Sequence, residues 1–124
     1  MFANETTESG KTLSGLIGRQ LNAVVFVMDY LQLQFDEALL TVLNPLIVKI
    51  DGKSYRLGDL HFRDFLCREI SQTVANVLLA EDKLEIEFDD STVFLVSLKE
   101  DDYSNAEAVN FNWVKDGEER FLVL

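Results

Sequence analysis

The chain has 124 residues, 48% of them apolar, and a formal charge of −11. That length accommodates a single domain with a real core, and the lone Cys67 excludes an internal disulfide framework. The charge would repel a phosphate backbone, which argues against nucleic-acid binding, and no apolar run approaches the roughly 18 residues a membrane helix needs.

The first residues, 1–9, are polar and acidic and read as a frayed end. Leu13, Leu16, Ile17 and Leu21 then fall at helical spacing, which predicts a helix over 12–21 with Thr12 as its cap, weakened by Gly15 and Gly18. Residues 23–28 form an apolar, β-branched run that predicts a strand. Leu31, Leu33 and Phe35 alternate with Gln32 and Gln34, the period of a strand with one wet face. Asp36-Glu37 is the turn and 39–43 the returning strand. Asn44-Pro45 breaks the pattern. Asp51-Gly52, between apolar runs 46–50 and 53–56, marks a hairpin because both turn residues tolerate positive φ.

Asp59 is placed to cap a second helix with Phe62, Phe65, Leu66 and Ile70 on one face. Asp64 and Arg68 stand at i,i+4 on the other side, spaced for an ion pair. Three strands follow, at 73–79, 83–88 and 92–98, the last apolar enough to be central and covered on both faces. Residues 108–114 and 120–124 form a closing hairpin turned at Asp116-Gly117.

The segment LEIEFDD at 84–90 nearly repeats LQLQFDE at 31–37, and each sits second among three strands behind a helix. The reading is an α+β fold of two αβββ repeats, 12–44 and 59–98, related by a pseudo-twofold axis. A hairpin insertion at 46–57 separates the repeats and a C-terminal hairpin at 108–124 completes one domain. Arg19-Gln20-Leu21 aligns with Arg68-Glu69-Ile70, placing the helices 49 residues apart and the middle strands 53 apart. Phe35 and Phe88 are expected in the shared core, and Cys67 is expected to be a buried small hydrophobe.

Chemistry-bearing patterns are sparse. His61, the single imidazole, and Cys67 do not share a helical face, so they form no nucleophilic pair. No zinc ligand set, calcium loop or phosphate-binding glycine motif occurs, so no metal, cofactor or catalytic residue is assigned. Acid is concentrated instead: residues 81–107 hold ten carboxylates and two lysines, Lys83 and Lys99. Glu85, Glu87, Glu100, Asp101, Asp102 and Tyr103 are the candidate partner-binding residues, because clustered carboxylates beside an aromatic attract a basic surface.

Residues 88–111 also resemble the tail of small acidic bacterial proteins of uncharacterised function, with the pattern F-D-G-S-x-L-x-V-S-L followed by D-Y-x-G-P-E-A. Phe88, Asp89, Ser91, Val96, Ser97, Leu98, Asp102, Tyr103, Glu107 and Ala108 carry the likeness, while Asp90 replaces the glycine and Asn105-Ala106 the Gly-Pro. The resemblance implies an immunity-type or accessory binding protein and brings no catalytic residue.

The leading expectation is a non-enzymatic acidic interaction module of the cytoplasm that masks a basic protein partner, without nucleic acid or membrane. One alternative is a small-molecule site or enzyme between the repeats, drawing on Tyr55, Asp59, His61 and Tyr103. The other is a homodimer or larger homo-oligomer pairing through an exposed edge strand at 121–124.

Overall fold

The computed structural model describes residues 7–124. The part of the expected frayed end at 1–6 lies outside the described residues. The fold is α+β, with two five-stranded antiparallel sheets and two short helices.

Helix α1 spans Glu8–Leu13 and runs into a 3-10 turn at Ser14–Leu16. It begins four residues earlier than its apolar spacing suggests. Thr7 is the cap, its Oγ1 accepting the Gly10 N–H at 2.9 Å; the helix tightens into the 3-10 turn at Ser14, and Gly18, at φ 88°, lies beyond both. Leu13 and Leu16 are fully buried, whereas Ile17 is exposed. Strands β1 (Leu21–Val27), β2 (Tyr30–Phe35) and β3 (Ala38–Val42) follow as a meander. The Asp51-Gly52 turn joins β4 (Leu46–Ile50) to β5 (Lys53–Arg56), with φ of 50° and 80° at its two residues.

Helix α2 spans Phe62–Arg68, but Asp59 does not cap it. The Asp59 carboxylate accepts the Arg56 N–H at 2.9 Å and closes a turn, while His61 holds the cap position at φ 68° without a side-chain cap bond. Nor does Asp64 pair with Arg68. It lies 3.1 Å from His61 Nδ1, and the Arg68 guanidinium sits over the Phe65 ring. Cys67 is exposed, correcting the expectation of a buried thiol: burial on this short helix belongs to Phe62 and Leu66. Strands β6 (Val74–Leu79), β7 (Lys83–Phe88) and β8 (Val93–Ser97) form the second meander. A 3-10 turn at Glu100–Asp102 leads to the closing hairpin, β9 (Val109–Lys115) and β10 (Glu118–Val123).

The strand orders are β1-β2-β3-β9-β10 and β5-β4-β8-β7-β6. Each meander is thus completed by the hairpin that follows the other one in sequence. The hairpin 46–57 is a structural part of the second sheet, and β9–β10 plays the same part in the first. β8 is central as expected, but only its inner residues are fully buried; Val93 and Leu95 on its outer side remain half-buried.

The two halves meet through reciprocal backbone bonds. Gly18 N–H donates to Val74 O at 2.9 Å, and Ser71 N–H donates to Leu21 O at 2.7 Å. Leu21 N–H donates to Gln72 O and Val74 N–H to Arg19 O, both at 2.9 Å. Every equivalent pair is 53 residues apart, and Gln20 and Thr73 face each other in an isolated bridge at the axis. The β1–β2 and β6–β7 registers slip at the same place, after Leu21 opposite Phe35 and after Val74 opposite Phe88. This single spacing of 53 carries back into the helices and replaces the alignment at 49: Leu13 matches Leu66, and Leu16 matches Glu69. It also explains the repeated Phe-Asp. The Asp36 carboxylate accepts the Gln20 N–H, and the Asp89 N–H donates to Thr73 O, so both junctions grip the axis segment.

Gly18 and Ser71, equivalent under that rotation, share the left-handed backbone at φ 88° and 83°. Ser71→Gly should therefore stabilise the protein and Gly18→Ala destabilise it, each by about 1 kcal/mol in urea denaturation.

The inner faces of both sheets and both helices feed one core. Phe35 (4% exposed) and Phe88 (1%) sit in it at equivalent positions, as the sequence predicts.

Candidate functional site

The acidic stretch does not form one stripe, because the fold distributes it over three places. Glu85 and Glu87 project from the outer face of β7. There they stand among cations: Lys83 Nζ lies 3.0 Å from Glu85, and the same rows carry Arg56 and Lys49. Hydrogen bonding to Glu85, reinforced by its charge, holds the Lys83 ammonium above the usual lysine range. Asp89 and Asp90 occupy the β7–β8 turn, where Asp90 accepts the Thr92 N–H at 3.1 Å.

Glu81, Asp82, Glu100, Asp101 and Asp102 gather at the opposite end of the second sheet. Leu98 N–H donates to Asp82 O at 2.8 Å, which fixes the β6–β7 turn (Glu81, Asp82) beside the exit of β8. The next residues wind into the Glu100–Asp102 turn, stabilised by the Ser97 hydroxyl donating to the Asp102 carboxylate. Glu100 and Asp101 are exposed, while Asp102 and Tyr103 are half-buried. Of the six candidate residues, the structure therefore brings Glu100, Asp101, Asp102 and Tyr103 together and leaves Glu85 and Glu87 on a different, charge-balanced surface.

Beside this acidic end runs an apolar groove of about 370 Å³, lined by Leu79, Ala80, Leu98, Tyr103 and Leu124, with Thr7, Ser9 and Glu81 at its edge. It leaves no trace in the sequence, since its lining comes from four separate segments. No family model matches the chain, no curated protein matches it, and no solved structure matches it.

Tyr55, Asp59, His61 and Tyr103 do not converge between the halves. Asp59 and His61 line a small surface cavity formed by residues 58–64, Tyr55 packs its ring 4.5 Å from that of Phe65, and Tyr103 belongs to the groove. Among the described residues no group of three metal-ligating side chains lies together, and no helix is long and apolar enough to cross a membrane.

The outer faces of the two sheets differ sharply despite their common frame. On the second sheet two cross-strand rows read Leu78-Glu85-Leu95-Ile47-Arg56 and Asn76-Glu87-Val93-Lys49-Ser54. The equivalent rows of the first sheet read Val25-Gln32-Thr41-Asn110-Val123 and Ala23-Gln34-Leu39-Asn112-Phe121. Four charges in one face thus correspond to none in the other. These uncharged rows run through a shallow trough of about 810 Å³ that also takes in Glu37, Glu119 and Arg120.

One buried polar group also breaks the symmetry. Glu69 has no exposed surface, and neither carboxylate oxygen has a hydrogen-bond partner among the described residues. Arg68 Nε, 3.8 Å away, is too distant for a hydrogen bond. Burial, then the neighbouring Asp90, pushes the carboxyl up to about 7, against a weaker opposing pull from Arg68 and Thr92.

Proposed function

We propose that the protein is a non-enzymatic interaction module that masks a basic, partly apolar surface of a protein partner, in the manner of an immunity-type protein in a reducing cytosol. The observation that carries this reading is the Leu98–Asp82 backbone bond, which sets two acidic segments side by side along the Tyr103 groove. Carboxylates at the rim steer a cationic surface, and desolvation of the apolar floor supplies affinity once it docks. Tyr103 fits the anchor role, with its ring partly packed on the core and the remainder facing the groove. The acid-rich likeness at 88–111 and the exposed, unpaired Cys67 thiol agree with this reading and this compartment.

The test is affinity capture from the source cell at low and high salt, with wild type and an E100K/D101K double variant in parallel. The expected result is a basic partner held at low salt, released as salt rises, and bound at least about tenfold more weakly by the variant. A partner retained equally by the variant, or indifferent to salt, contradicts the proposal.

A further inference from the structure

We infer that the uncharged outer face of the first sheet is a self-association surface whose occupant is a second copy of this chain. Two molecules of −11 each repel at most approaches, and the face with Gln34, Leu39 and Asn112 at its centre lets two copies meet without opposing like charges. The charged residues of the trough, Glu37, Glu119 and Arg120, all stand at one end of it, where the two signs partly offset each other.

The side chains there suit a copy of themselves. Each Gln or Asn amide both donates and accepts, so a twofold-related amide row can satisfy it. Gln32 Nε2 donates to Thr41 Oγ1 at 3.4 Å, but the side chains of Gln34, Asn110 and Asn112 make no hydrogen bond among the described residues. Phe121 and Val123, on the free edge strand β10, are 73% and 41% exposed and belong to the same two rows. In a twofold pair each Phe121 enters the trough of the other molecule. Phe121 is thereby used on the sheet face, and β10 does not need to extend the sheet edge.

The small size of the face keeps the association weak. Five strands about 4.8 Å apart and two rows about 7 Å apart cover roughly 340 Å² per copy, below a standard interface. The expectation is a weak, transient dimer.

Sedimentation velocity from about 5 to about 200 μM, at about 50 and about 500 mM salt, tests it. The predicted result is a monomer–dimer equilibrium that tightens as salt screens the net charge, the reverse of the salt response at the acidic groove. L39E and N112E, both on the outer surface and checked for folding by circular dichroism, should each weaken dimerisation at least about tenfold, while E87Q on the second sheet leaves it unchanged. A monomer throughout that range, or a dimer indifferent to L39E and N112E, overturns the inference. Either result leaves the groove's partner to its own test.

Discussion

Replacing Glu69 with leucine should stabilise the protein at pH 8 by about 3 kcal/mol more than it does at pH 4, as read by urea denaturation. The carboxyl ionises near its ordinary value of 4.5 when unfolded but only at about 7 when folded, because burial disfavours its charge. A raised acid favours folding most below the unfolded value, where the group is protonated in both states. That contribution is lost as pH rises from 4.5 through 7. The gap, at about 1.4 kcal/mol per pH unit, sets the magnitude. Leucine is the informative replacement because Leu16 fills the equivalent position in the other half and is fully buried there. A difference between variant and wild type that stays flat with pH would mean that Glu69 reaches water or a partner in solution.

Phe88→Ala should cost about 3–5 kcal/mol, a large share of the roughly 5–15 kcal/mol that holds a domain of this kind together. Its ring is 1% exposed and meets Phe94 edge-to-face at a centroid distance of 4.8 Å. In the first half Leu40 stands where Phe94 does, so Phe35→Ala should cost less by about 1 kcal/mol, the aromatic pair's own contribution. Equal costs in thermal or urea unfolding would show that the ring contact adds nothing beyond burial.

Most of the elements were legible because their local chemistry agrees with the fold. The alternation in LQLQF and LEIEF gave β2 and β7, and the two Asp-Gly turns gave their hairpins, with positive φ at both residues of each. The doubling was also legible, from the Phe-Asp junctions. Its correct spacing was not, because similar residue types, Arg19-Gln20-Leu21 and Arg68-Glu69-Ile70, matched at the wrong offset. The pairings that fix the offset join residues about 50 positions apart and leave no periodic trace. The hairpins' placement in opposite sheets is hidden for the same reason.

The site was half legible. Glu100–Tyr103 are adjacent in sequence and stay together in space, whereas Glu85 and Glu87 were grouped with them by sequence proximity alone. A one-dimensional charge count cannot see Lys49 and Arg56 brought in by a neighbouring hairpin. The neutral face was equally hidden: its amides come from β2 and β9, some 80 positions apart, and acquire meaning only beside the charged rows of the other sheet.

Two equivalent halves that interlock through reciprocal backbone bonds should form one cooperative unit, so that neither unfolds alone. Native-state hydrogen exchange at the reciprocal amides of Gly18, Leu21, Ser71 and Val74 tests it most directly. All four should open with a common free energy equal to that of global unfolding. Two separate opening energies, one for Gly18 with Leu21 and another for Ser71 with Val74, would contradict it.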